Sequence, residues 1–108
     1  MRILKQLSEA MGVSGDEREV RRLILDLIEP HVDQIETDTL GNVFALKKGT
    51  GRRRLKVMVD AHMDEVGFMV TGYDSSGALK VEAIGGLDDR VLLAKRVLVG
   101  PDKIPGVI

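Results

Sequence analysis

His62 and Asp64 are the pair in this chain whose types and spacing suit metal chemistry. They stand in Val57-Met58-Val59-Asp60-Ala61-His62-Met63-Asp64-Glu65-Val66-Gly67. A neutral imidazole gives one ring nitrogen to a divalent cation. A carboxylate two residues on can hold the other ring N–H, which fixes the tautomer and the direction of the ring. The residues before them set the position. β-branched Val57 and Val59 alternate with Met58 and polar Asp60 closes the run, so Leu55–Asp60 reads as a buried strand. A chain leaving such a strand carries polar groups into a cleft, where open α/β sheets hold ligands. Gly67 lets backbone pass close by.

The elements around this segment follow from periodicity. Ile3, Leu4, Leu7 and Met11 fall at helical spacing. Ser14 and Glu17 have the Ser-x-x-Glu form of a capping box opening a second helix, in which Val20, Leu23, Ile24, Leu27 and Ile28 make one apolar stripe until Pro30 ends it. From Val32 to Thr37 the period changes to two. A turn at Leu40-Gly41-Asn42 leads into a strand over 43–46, and a hairpin-like return leads into Leu55–Asp60. Further strands are expected over 66–70 and 79–83, joined by the Asp74-Ser75-Ser76-Gly77 turn. Gly85-Gly86 marks a break, and Val91–Leu93 and Arg96–Val99 are short apolar runs beyond it. Two helices followed by several strands read as α/β or α+β with a mixed sheet and flanking helices.

Other reactive-looking residues have plainer roles. Gly12-Val13-Ser14-Gly15 does not fit a nucleophile elbow, because Asp16 stands where the last glycine belongs and a helix precedes it. Glu65 reads as a solvated charge or turn partner. Asp88 and Asp89 read as turn residues beside Arg90. Lys47, Lys48, Arg52, Arg53 and Arg54 form a solvated basic loop, and His31 is a surface residue placed favourably at a helix end.

Composition narrows the field. The length, 108 residues, is that of one small domain. The formal net charge is −1, so nothing favours nucleic acid or an anionic membrane as partner. Three aromatics, Phe44, Phe68 and Tyr73, are too few for a base-stacking platform. The chain has no cysteine, so a metal must be held by nitrogen and oxygen, and a cytoplasmic setting is expected. The N-terminus lacks the apolar core of a signal peptide, and no run approaches the length of a membrane span. High Lys, Arg and Glu content without cysteine also fits a thermophile. The last residues, Ile104-Pro105-Gly106-Val107-Ile108, begin like a strand, so the sequence reads as cut short.

Gly12-Val13-Ser14-Gly15 before a charged helix, Leu40-Gly41-Asn42, Ala61-His62-Met63-Asp64-Glu65-Val66-Gly67-Phe68-Met69-Val70, Ile84-Gly85-Gly86 and Ile104-Pro105-Gly106-Val107-Ile108 occur in one order. That set resembles the N-terminal part of the tetrahedral (TET-type) metallo-aminopeptidases, relatives of which carry the names glutamyl or deblocking aminopeptidase, cellulase or endoglucanase. The resemblance covers essentially the whole chain. It implies a zinc-exopeptidase-like α/β catalytic domain over residues 1–85. Residues 86–108 would then open an inserted β-rich dimerisation domain. It also implies two divalent ions, zinc or cobalt, short peptides as substrates, and homo-oligomers built as hollow dodecamers. His62 matches the first metal-ligand histidine, and Asp64 matches the catalytic-site aspartate that orients it. Glu65 does not match the catalytic glutamate. The family's remaining ligands lie beyond residue 108, which leaves at most a partial metal site and predicts that the isolated chain is inactive, since a catalytic zinc takes three protein ligands. A non-catalytic assembly remnant is the alternative, because Leu92, Leu93, Val97, Val99, Val107 and Ile108 lack partners. Carbohydrate hydrolysis is disfavoured by the scarcity of aromatics and the lack of Trp.

Overall fold

The second helix carries the firmest match between pattern and packing. In the structure, a computed structural model describing residues 2–52 and 55–108, the two helices are α1 (Arg2–Glu9) and α2 (Arg18–Ile28). Arg53 and Arg54 of the basic loop lie outside the described residues. On α2, Val20 is buried and Leu23, Ile24, Leu27 and Ile28 are half-buried, while Glu19, Arg22 and Asp26 face water. That is the division an amphipathic helix imposes. Pro30, which has no N–H to continue the ladder, sits inside a single 3₁₀ turn over Glu29–His31.

Three antiparallel hairpins follow. They pair β1 (Gln34–Thr37) with β2 (Val43–Leu46), β3 (Gly67–Tyr73) with β4 (Leu79–Ile84), and β5 (Arg96–Val99) with β6 (Ile104–Val107). Side-chain carboxylates fasten the first two turns. Asp38 accepts from the backbone N–H groups of Leu40 and Asn42 and from the Asn42 amide, each at 2.9 Å. Asp74 accepts from the Ser76 N–H at 2.8 Å and the Ala78 N–H at 2.9 Å. Gly77 takes φ +88° there, a conformation costly for a side chain with a Cβ. The third hairpin is tied to α2 by an ion pair of 2.7 Å between Lys103 and Glu19.

Two expectations about the sheet fail. Among the described residues the strands form three separate two-stranded sheets, not one mixed sheet. Leu55–Asp60 is not a strand, and it is not buried: Val57, Met58 and Val59 are 77%, 85% and 91% exposed. An alternating apolar run records a preference for a half-buried pleat, but a ladder needs a neighbour to accept its backbone bonds. No described strand runs beside this one. Its exposure accompanies an open shape. The radius of gyration is 18.2 Å, against about 13 Å for a compact chain of ~100 residues.

What is buried lies where the two helices meet the following loop. Ala10 and Val20 are the buried apolar side chains among the described residues. Gly12, also buried, passes between Val20 and the 62–67 segment. A Cβ at Gly12 would sit 2.6 Å from Val20 Cγ2 and 3.2 Å from the Met63 carbonyl oxygen. Gly12→Ala is therefore expected to destabilise the chain by about 1–3 kcal/mol through overpacking. Denaturant unfolding checks this, and a wild-type midpoint would show that the loop is not held against the helix.

Candidate metal-ligand site

The site is built where residues 12–16 lie beside residues 62–67. Val13 to Asp16 form a tight turn closed by an Asp16 N–H to Val13 carbonyl bond of 2.8 Å. Gly15 at its third position takes φ +93°, as a type II turn requires. This turn is clamped to the distant segment at its base. The Glu65 N–H donates to the Gly12 carbonyl at 2.7 Å, and the Gly12 N–H donates to Glu65 Oε1 at 3.3 Å. Val13 and Glu65 pair in parallel. The Val13 side chain also fills the space beside Gly67, where a Cβ would come within 2.5 Å of it.

His62 and Asp64 are brought together. His62 Nδ1 lies 3.0 Å from Asp64 Oδ1 and 3.0 Å from the Asp64 carbonyl oxygen. A carbonyl oxygen only accepts, so Nδ1 carries the proton in this arrangement. The neutral ring therefore keeps its free lone pair on Nε2. The His62 side chain is 85% exposed, so that lone pair faces solvent. An opening of about 580 Å³ between Met11, Val13, Phe68, Ile84 and Pro101 reaches Ser14 but not His62 or Asp64, so among the described residues the expected cleft does not enclose the pair. Among the described residues no strand pairs with 55–60, and no sheet raises a wall around the imidazole.

Ser14 has a different role from the one its sequence context suggests. Its hydroxyl donates to Asp64 Oδ2 at 2.5 Å, a length typical of a hydroxyl on a charged carboxylate. The capping box does not form: Glu17 is the N-cap residue of α2 without a side-chain cap bond, and its carboxylate instead accepts from the Gly15 N–H at 2.6 Å. Fifty positions separate Ser14 from Asp64 in the chain, and no local pattern signals the contact. Glu65 is a turn partner, and it meets Gly12 through both its backbone and its side chain. Asp88 is a turn residue that binds Arg90 at 2.6 Å. His31 is exposed at the end of its 3₁₀ turn.

The Ser14 hydroxyl first, and the His62 ring N–H second, hold the Asp64 carboxyl below its usual range, against a smaller opposing effect of burial. Asp38 and Asp74 are lowered by their own turn donors. Among the described residues no three His, Asp or Glu side chains converge to hold a metal ion. The arrangement brings one imidazole, one carboxylate and one hydroxyl together, with His62 bonded to Asp64 and Asp64 to Ser14.

The chain belongs to the M42 glutamyl aminopeptidase family, whose model matches residues 41–108; a second family model, AMPT, matches residues 1–23. It is 41% identical over 96 residues to the lysyl aminopeptidase of Pyrococcus furiosus, a match covering 88% of this chain and 27% of that one. A Thermotoga maritima protein named endoglucanase superposes with a TM-score of 0.87 at 46% identity, over 96% of this chain and 32% of that one. The TET1 peptidase of Pyrococcus horikoshii, which can assemble into a tetrahedron or a large octahedral shell, superposes with a TM-score of 0.77 at 34% identity, over 94% of this chain and 30% of that one. The chain thus spans less than a third of the length of these relatives.

The lowered Asp64 carboxyl fixes the sign of a pH response. A folded value below the unfolded one adds stability that is complete above the ordinary carboxylate range, at about pH 4. It is lost as pH falls through the lowered folded value. The Asp64 side-chain carboxyl carbon is therefore expected to titrate below the ordinary carboxylate range. Ser14→Ala removes the larger of its two donors and should move that midpoint up, which an NMR titration would reveal.

Proposed function

We propose that this chain is the N-terminal part of a metal-dependent aminopeptidase that removes N-terminal residues from short peptides. His62 would contribute Nε2 to one of two divalent ions, zinc or cobalt, and Asp64 would orient the ring. The observation carrying this reading is the His62 Nδ1 hydrogen bonding to two Asp64 oxygens, which leaves Nε2 free and exposed. A neutral imidazole held this way fits one position in a zinc or cobalt coordination sphere. In such enzymes the metal pair supplies an activated water and a Lewis acid for the oxyanion. This chain's share is narrower: His62 presents a lone pair, and Asp64 holds the proton on the opposite nitrogen.

Residues 1–85 are assigned to the catalytic domain and 86–108 to the opening of a β-rich dimerisation domain. The isolated β5–β6 hairpin beyond Gly85, whose φ is +83°, supports that division. Membership of the M42 family and the assemblies of the Pyrococcus horikoshii relative support a homo-oligomer. No described helix is long and apolar enough to cross a membrane. The lack of cysteine supports a cytoplasmic setting.

One observation favours a second reading, a non-catalytic assembly remnant. Leu93, Leu98 and Val107 are exposed, as is the whole 57–59 run, and such apolar surface promotes association.

The two histidines allow a single experiment with an internal control. Cobalt(II) titrated into the 108-residue chain is expected to broaden the ring resonances of His62 before those of His31, with the order lost in Asp64→Asn. The same sample should release no N-terminal amino acid from a dipeptide, because one ligand does not make a catalytic centre. Equal broadening of both histidines would remove the basis of the ligand assignment, and measurable hydrolysis would show that the chain completes a site by itself.

A further inference from the structure

Asp64 faces two donors at once, and the second has no place in the account of His62 as a metal ligand. We propose that Ser14 is a positioning residue for His62, acting through Asp64: its hydroxyl fixes the carboxylate so that Oδ1 meets the imidazole Nδ1–H. The inference rests on the reading of His62 as a ligand for its purpose, though not for its test.

The terminal torsion of an aspartate is broad and nearly two-fold. One hydrogen bond from an exposed imidazole does little to fix it. In this chain both oxygens are engaged, Oδ1 by His62 at 3.0 Å and Oδ2 by Ser14 at 2.5 Å. Turning the carboxylate out of plane would break both bonds together. The second acceptor of Nδ1, the Asp64 carbonyl, belongs to the same residue, so placing Asp64 places everything that the ring N–H touches.

A positioning group must itself be held, and Ser14 is. It lies in the turn closed between Val13 and Asp16, and Gly12 below it is bonded twice to Glu65. Val13 packs at Gly67. The hydroxyl is not needed to cap α2, which starts at Arg18 with Glu17 as its N-cap. The short bond to Asp64 is the one side-chain bond found for Ser14 among the described residues.

Long-range ¹H–¹⁵N spectra of the metal-free chain, at a pH where the imidazole is neutral, report which ring nitrogen carries the proton. The wild-type chain is expected to favour the Nδ1–H form at His62 and not at His31. In Ser14→Ala the ratio of Nδ1–H to Nε2–H at His62 should fall about two- to tenfold, the worth of one net hydrogen bond. Ser14→Cys keeps the volume with a weak donor and should fall in the same direction. Ser14→Thr should restore the ratio. In an Asp64→Asn background Ser14→Ala should change nothing further. A purely structural serine would lower the unfolding midpoint and leave the His62 ratio alone. That result, in Ala or in Cys, overturns the proposal, as does failure of Thr to restore the ratio. No metal is present, so this outcome and the cobalt result stand or fall separately.

Discussion

The whole arrangement depends on a reciprocal pair of bonds between Gly12 and Glu65. Each gives its N–H to an oxygen of the other, so two segments 53 positions apart in the chain are locked in one register. The lock demands a residue without a side chain at position 12, because Val20 and the Met63 carbonyl already occupy the space beside it. It also demands a carboxylate long enough to reach back from position 65. Once it is made, Val13 falls against Gly67 and Ser14 against Asp64 with no further freedom. In a chain this open, with two buried apolar side chains among the described residues, specific polar contacts of this kind carry more of the local order than a core does.

The local parts of this structure were legible in the residues. Val20, Leu23, Ile24, Leu27 and Ile28 at helical spacing gave the covered face of α2. Leu40-Gly41-Asn42 and Asp74-Ser75-Ser76-Gly77 gave two hairpin turns, each with its glycine at a left-handed position, while the Asp38 bonds that fasten the first went unread. The His62–Asp64 contact spans two positions, and a short spacing can be read directly. What escaped was every contact that required another part of the chain. Ser14 obeyed the local rule for a helix cap, yet Glu17 is the N-cap of α2 and the Ser14 hydroxyl donates to Asp64, a partner 50 positions away that no local pattern signals. The 55–60 run has the composition of a buried strand and lies exposed, because periodicity states what a segment can pair with and not whether the pair is present.

That exposed run bears on how the segment relates to its longer relatives. Side chains of Val57, Met58 and Val59 turned to water on both faces are costly alone, and their N–H and C=O groups, unpaired among the described residues, form an edge that invites another strand. The hairpins on either side do not supply one. Their registers close on themselves, Ile35 opposite Ala45 in the first and Phe68 opposite Ala83 in the second. Each hairpin is therefore a finished local unit, whereas 55–60 is an unfinished one. Local hydrogen bonding and distant pairing are separable here, and only the first is complete within the described residues.

The same separation explains why the histidine can be aimed before anything surrounds it. A side chain ordered only at the moment of binding loses rotamer freedom then, and the affinity is reduced accordingly. On the proposed reading of His62 as a ligand, part of that cost is met in advance. Its ring N–H is held by Asp64, Asp64 by Ser14, and Ser14 by a turn fastened at Gly12, all through contacts internal to this chain. Nothing in that relay needs a closed sheet, and for that reason it persists where the 55–60 strand does not. The fixed direction of the imidazole is thus a property of the 12–15 and 62–67 segments alone.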